Sequence, residues 1–432
     1  MNLKTRIRSL AMRHFSSPEF LQKQRDRARR RREKQGHPPT VFYFHQVDDP
    51  YSHLAIQKLD LLRDRYDLAF QPYLVSKPDP QYQGNSDHFE HWGLRDAVSV
   101  AADYGTHFSP SITSISTDRL REANQILACG LQRDDFAKTA FEVGTSLWQN
   151  EPLAPSAHTN EGKEAIHAGN AQRAELGHFQ GAMFYFDGEW FWGIDRLRHL
   201  EQRLHAEGFD SDRKASLCVP EPTPEPLPAA NNMDGVLLEY FPSLRSPYTA
   251  IGHQRVLDFV NRSGVKTTVR PVMPMLMRGI PAPREKQRYI ITDAGRESRE
   301  HGVPFGRIVD PFGEPVKRAF ALFPSADASG HGMAFVTAYL NAAWFDGIDI
   351  TNDKGLRLVV ENSGLDWLAT KQAAKDIKWQ SLLSSNLDAL TEEHLWGVPS
   401  FRVSGGNIEK PYACWGQDRI WRVASEISRR AR

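Results

Sequence analysis

The sequence predicts an α/β protein built as two similar halves, each an α/β core interrupted by a helical block. Three observations predict it. First, two apolar runs of strand length, Val41-Phe42-Tyr43-Phe44 and Val236-Leu237-Leu238-Glu239-Tyr240-Phe241, are each followed by a helix-start signal. The signals are Asp49-Pro50-Tyr51-Ser52-His53-Leu54-Ala55 and Ser246-Pro247-Tyr248-Thr249-Ala250-Ile251-Gly252, each an N-cap with proline at the first helical position. Second, each half closes on a related segment, Phe191-Trp192-Gly193-Ile194-Asp195-Arg196-Leu197 and Cys414-Trp415-Gly416-Gln417-Asp418-Arg419-Ile420, which opens an amphipathic helix. Third, Pro220, Pro222, Pro224, Pro226 and Pro228 alternate with polar or small residues between the halves, the pattern of an extended, semi-rigid linker.

In chain order, a basic N-terminal arm occupies residues 1–38. Residues 1–35 hold twelve Lys or Arg against Glu19, Asp26 and Glu33, a net of +9, so the whole-chain charge of +1 leaves −8 for the rest. The arm reads as a solvated basic helix or tail, with an RNA or membrane-surface contact as the alternative. Pro38 and Pro39 end it, and the first buried strand follows. Helical spacing recurs over 117–130 and 136–148 in the first half, and over 335–344, 353–361 and 365–377 in the second. Ala182-Met183-Phe184-Tyr185-Phe186 and Val398-Pro399-Ser400-Phe401-Arg402-Val403 read as late strands after Gly181 and Gly397. A strand–helix–strand start and a strand–helix end around a helical middle imply an α/β core with an inserted helical subdomain.

At 432 residues, 40% hydrophobic and 25% charged, the chain has a globular composition and room for two or three domains. No apolar stretch reaches the ~18 residues a spanning helix needs. Arg6, Arg8 and Arg13 interrupt any secretory apolar core. Cys129, Cys218 and Cys414 are an odd, widely spaced set, which points to a reducing, cytoplasmic location and excludes a disulfide framework. Without Cys-x-x-Cys, disulfide oxidase chemistry is disfavoured, and the sixteen His show no paired spacing, so no metal is expected.

Ser246-Pro247-Tyr248, Gly397-Val398-Pro399-Ser400 and Trp415-Gly416-Gln417-Asp418-Arg419 together resemble the DsbA-like thioredoxin-fold branch that contains 2-hydroxychromene-2-carboxylate isomerases and kappa-class glutathione transferases. Lys286-Gln287-Arg288-Tyr289 through Asp293-Ala294-Gly295-Arg296 resembles that branch's Lys-x-Arg-Tyr and Asp-x-x-Arg segment, and the resemblance spans 236–428. In the first half Pro50-Tyr51-Ser52 and Trp192-Gly193-Ile194-Asp195-Arg196 carry it. The implied architecture is two tandem thioredoxin-like (DsbA-like) domains: a degenerate one at 39–210, a Pro-rich linker at 211–233, and one at 234–430 with a glutathione site.

The resemblance also implies roles. Ser246 contacts the glutathione sulfur at a helix start, Pro399 is the family's cis-proline, and the Val398 backbone pairs with the cysteinyl unit. Gln417 and Asp418 hold the γ-glutamyl group, and Lys286 meets the glycine carboxylate. The implied activity is glutathione-dependent isomerisation or transfer on a hydrophobic aromatic electrophile. Met273, Met275, Leu276 and Met277 offer it an adaptable wall, or else simple core packing. The family's upstream Asn has no clear counterpart near Gly279-Ile280-Pro281. In the first half Asp49 stands in the place of Ser246, where its charge would repel a thiolate, and Met183 stands in the place of Pro399. Two alternatives stand beside the enzyme: a non-catalytic scaffold using the basic arm, and a glutathione-dependent oxidoreductase, which requires Cys414 exposed and acidic. Pairing of the two halves as an intrachain pseudo-dimer, or of whole chains as a homodimer, is also expected.

Overall fold

A computed structural model describes residues 1–155, 160–227, 233–375 and 378–431. Pro228 of the linker and the end of the 365–377 helical stretch lie outside the described residues. The chain divides into two compact units. The first is Leu21–Pro222; the second joins Met1–Phe20 to Thr223–Arg432, so the division falls within the Pro-rich segment.

Two helices open the chain, α1 (Leu3–Ser16) and α2 (Pro18–Lys34). Neither is a loose tail, which corrects the expectation of a separate arm at 1–38. In the second unit Arg13 donates to the Ile308 carbonyl at 2.8 Å, Arg299 donates to the Ser16 carbonyl at 3.1 Å, and Arg8 pairs with the buried Asp310 at 2.6 Å. In the first unit Arg25 of α2 reaches Glu189 at 2.7 Å and Arg32 reaches Asp187 at 3.0 Å. The physical reason is charge complementarity: the basic residues meet buried carboxylates that would otherwise be desolvated without a partner.

The first unit carries β1 (Thr40–His45), α3 (Pro50–Ile56), β2 (Ala69–Leu74), α4 (Ser86–Val100), β3 (Met183–Phe186), β4 (Glu189–Trp192) and α5 (Leu197–Ala206). Its sheet has the order β2-β1-β3-β4, with β1 parallel to β2 and the other pairs antiparallel. Between α4 and β3 lie helices Thr117–Gly130, Phe136–Trp148 and Glu161–Glu175. The first two have the bounds their periodicity predicts. The third has no clean apolar stripe, and buries only Gly162, Gly169 and Arg173.

The second unit carries β5 (Leu237–Phe241), α6 (Pro247–Ser263), β6 (Lys266–Val269), α7 (Arg284–Glu300), β7 (Ser400–Ser404), β8 (Tyr412–Trp415) and α8 (Ile420–Arg430). Its sheet is β6-β5-β7-β8 with the same parallel and antiparallel pairs. Both sheets are thus four-stranded, with matching order and polarity. Leu238, Tyr240, Phe401 and Val403 from the strands pack with Val256 and Phe259 of α6 and Val423 and Ile427 of α8. A separate apolar core, including Phe320, Phe323, Phe335, Tyr339, Trp344 and Leu356, belongs to the helical block between α7 and β7. Met273 and Met277 pack against that core, the plainer of the two readings for the methionine cluster.

Candidate functional site

The site in the second unit starts from a helix cap. Ser246 accepts from the Thr249 N–H at 3.1 Å, Pro247 supplies the first helical residue, and Gly264 ends α6 in the left-handed region at φ 69°. The Ser246 hydroxyl proton goes to the Val398 carbonyl at 3.2 Å, and Ser246 is 9% exposed. The Val398–Pro399 peptide is cis. The Pro399 carbonyl accepts from the Gly416 N–H at 2.9 Å, which fixes the Gly416-Gln417-Asp418 turn beside it. Two hydrogen bonds therefore bring Ser246, Val398, Pro399 and that turn to one edge of the sheet. The side of Gly252 facing the turn approaches Gln417 and Ile420 so closely that an added Cβ would sit about 3.0 Å from each.

α7 is tied to the same place. Tyr248 donates to Asp293 at 2.8 Å, and Gln417 Nε2 donates to Glu297 at 2.7 Å. Lys286, Asp293 and Glu297 lie seven and four residues apart, so they share one helical face. Burial pushes the Lys286 amine down to about 8. An anionic ligand group at that ammonium would favour its charged form.

Two expected roles change. Gln417 is only 1% exposed, and its amide is committed at both ends, to Glu297 and to Arg255. It positions the turn that carries Asp418 rather than presenting its own amide to a ligand. The Val398 carbonyl likewise has one lone pair taken, by the Ser246 hydroxyl, so it is fully open only when that hydroxyl turns away.

Sequence reasoning missed the supports of this edge. Arg278, whose pKa burial lowers to about 10, donates to the Trp396 carbonyl two residues before Val398. Arg245, next to Ser246, pairs with Asp310 at 2.7 Å and lies over the Phe312 ring at 4.7 Å. These residues are far apart in sequence and belong to no local spacing pattern. His253 bonds Tyr240 at 3.1 Å and Thr337 at 2.8 Å, and burial pushes it down to about 4, so it is neutral at pH 7. Cys414 is buried in the sheet core, at 2% exposure. The exposed thiol that the oxidoreductase reading requires of it is therefore not there.

The corresponding edge of the first sheet differs. Tyr51 donates to Asp96 at 2.8 Å, as Tyr248 does to Asp293. Tyr43 pairs with Phe184 and Tyr240 with Phe401, so the register sets Ala182, not Met183, in the place of Pro399. The sequence aligns Met183 there; pairing corrects it by one residue, and Gly193 N–H donates to Ala182 as Gly416 does to Pro399. In place of Ser246, Asp49 caps α3, accepting from the Ser52 N–H at 2.9 Å and the Ser52 hydroxyl at 2.8 Å.

Burial raises the Asp49 carboxyl from its ordinary value to about 6. The folded state holds this proton at pH values where the unfolded chain has released it. Asp49 therefore lowers stability as pH rises from about 4 to about 6, and the full cost remains above that. The shift corresponds to an upper limit of roughly 3 kcal/mol. Asp49→Asn keeps a capping oxygen without the charge, and is expected to stabilise the first unit by about 1–2 kcal/mol at pH 7.5. The gain should fade near pH 4; urea unfolding at the two pH values measures it, and an equal gain at both would refute the burial argument.

A family model described as DSBA-like thioredoxin domain matches residues 237–428. No curated protein matches the chain. Among solved structures, a 2-hydroxychromene-2-carboxylate isomerase is 20% identical, over 45% of this chain and 95% of that one, with a TM-score of 0.37. The cytosolic disulfide reductase DsbM from Pseudomonas aeruginosa is 15% identical, over 45% and 98%, with a TM-score of 0.35. A putative protein disulfide isomerase from Nitrosomonas europaea is 13% identical, over 44% and 96%, with a TM-score of 0.36. None of the described helices is long and apolar enough to cross a membrane. From β5 into α8, the residues that build the Ser246 edge form a DSBA-like thioredoxin domain.

Proposed function

We propose that the domain at 234–430 binds reduced glutathione and uses it to isomerise, or conjugate, a hydrophobic aromatic electrophile, as in the branch of 2-hydroxychromene-2-carboxylate isomerases and kappa-class glutathione transferases. We further propose that 39–210 and 234–430 arose as a tandem duplication, a reading supported by the matching order and polarity of the two sheets.

The observation that carries the function is the edge itself: a capping hydroxyl, a backbone N–H ahead of a proline, and the Asp418 turn joined by Ser246–Val398 and Pro399–Gly416 hydrogen bonds. The donors and the carboxylate of this edge fit glutathione. Lys286 suits the glycine carboxylate, Asp418 the γ-glutamyl ammonium, and the Val398 N–H a backbone carbonyl in the manner of an added strand. When bound, glutathione would supply a thiolate able to add reversibly to a conjugated double bond. The chain's part is to hold that sulfur. Ser246 must turn its hydroxyl proton from the Val398 carbonyl toward the sulfur, while its N-cap position places that sulfur at the positive end of the α6 dipole. Gln417 and Glu297 keep the turn in place, and the buried environment of Lys286 strengthens its pairing with a carboxylate.

Calorimetric titration of reduced glutathione tests the reading. Saturable binding near one site per chain is expected, weakened about tenfold or more in Asp418→Ala, consistent with loss of one charge-assisted contact worth about 1.5–3 kcal/mol. The absence of binding at millimolar glutathione would sink the assignment.

A further inference from the structure

The first unit contains a cavity of about 370 Å³ over Asp49 and the start of α3. Its polar lining is dominated by acceptors. Asp48 and Asp49 both face it, and neither is ion-paired among the described residues. Lys77 also lines the cavity, but it is held by Glu90. Gln46 and Gln83, at 5% and 4% exposure, each leave a buried side-chain oxygen with no hydrogen-bond partner, and so does Asn124.

The orientation of two of these amides is set by their other end. Gln46 Nε2 donates to Asp48 at 3.0 Å and Asn124 Nδ2 donates to the Leu120 carbonyl at 2.8 Å, so their oxygens are the atoms left over. A buried acceptor without a donor is destabilising, and here three of them border one space together with the Asp48 and Asp49 carboxylates. The rest of the wall is mixed: Leu94, Ile115 and Leu120 are apolar, Ser114 and Gln180 are polar, and the Trp148 indole N–H is a buried donor without a hydrogen-bond partner. Such a lining rejects anions, and it asks for a ligand with several N–H donors and positive charge at one end and an apolar body at the other.

We propose that this cavity is a second ligand site, one that takes a small amphipathic primary amine, with its ammonium among Asp48, Asp49 and the Gln46 and Gln83 oxygens and its apolar body against Leu120 and Trp148. An ammonium has three donors and matches that set; a thiolate ligand of the kind proposed for the Ser246 edge does not. The site lies wholly in the first unit, and the inference does not rest on the glutathione assignment. It gives the replacement of serine by Asp49 a purpose, recognition of a cation. The titratable groups lining the cavity are Asp48, Asp49, Tyr51, Lys77 and Glu90, with Tyr51 bonded to Asp96 behind it. Burial raises both Asp48 and Asp49, so binding should tighten as pH rises through about 6, where Asp49 loses its proton.

The test is calorimetric titration of the full chain with 2-phenylethylammonium, and with 3-phenylpropionate as its reversed-charge counterpart. Saturable binding of the amine at sub-millimolar concentration is expected at pH 7.5, weakened about tenfold at pH 5. No saturation is expected with the carboxylate. Asp49→Asn should weaken the amine at least tenfold at pH 7.5, and Gln83→Met, which keeps the side chain's length and removes its amide acceptor, severalfold. Failure of the amine to saturate by about 10 mM, equal binding by both probes, or undiminished binding by both variants would each overturn the proposal.

Discussion

Asp310→Ala is expected to lower the stability of the second unit by about 2–4 kcal/mol, as removal of one member of a buried ion cluster does. Asp310 is fully buried and serves two cations, Arg8 of α1 at 2.6 Å and Arg245 at 2.7 Å, while both guanidinium groups lie over Phe312. It also accepts from the Phe312 N–H at 3.3 Å, and its own N–H donates to Ser9 at 3.0 Å. Without the carboxylate two cations remain beside the same apolar ring with no anion between them. Arg8 is about one-third exposed and can turn to water, but Arg245 is 15% exposed and cannot do so easily, which sets the lower bound. Urea unfolding measures the loss. Arg8→Met, which leaves Asp310 with Arg245, should cost less, and a reversed order of the two variants would show that the cluster is not what holds α1. Because Arg245 adjoins Ser246, Asp310→Ala should also loosen the cap of α6 and weaken the glutathione binding proposed for this edge.

Gly397→Ala is expected to cost about 1–3 kcal/mol and to reduce the proposed glutathione affinity at least tenfold. An added Cβ would overlap the indole of Trp415, which packs against Trp396 with ring centroids 4.5 Å apart. Trp396 is buried at 2% exposure and holds the Trp415 indole on one side, so the clash is relieved by shifting Trp415, the 396–399 segment or both. That segment carries the Val398 carbonyl bonded to Ser246 and the Pro399 carbonyl bonded to Gly416, and the Gly397 carbonyl itself accepts from Ser400 at 2.9 Å. Thermal unfolding and glutathione titration check the two effects separately. Affinity retained despite the lost stability would mean that the 397–399 backbone takes no part in binding.

Much of this arrangement was legible in the residues. The caps at Asp49 and Ser246, each followed by proline, start α3 and α6 as local hydrogen bonding requires. The helices at Thr117–Gly130 and Phe136–Trp148 follow from apolar periodicity alone. Helix Glu161–Glu175 was not legible, because a helix whose buried face is made of two glycines and an arginine has no apolar stripe to recognise. The register at Ala182 was lost because counting from Gly181 as from Gly397 lands on Met183, and only cross-strand pairing reveals the offset.

The sequence by itself determined the local events: where strands and helices begin, that two halves end alike, and that Ser246, Val398–Pro399 and Asp418 recur in one order. These depend on interactions within a few residues, and so they are written in the chain. The tertiary structure alone decided which groups are available. It turned Gln417 inward to Glu297 and Arg255, joined Ser246 to the Val398 carbonyl, docked the basic helices on buried carboxylates, and left the acceptors around Asp49 facing a cavity. Burial and pairing between residues up to three hundred positions apart set these outcomes, and neither has a signature in local spacing.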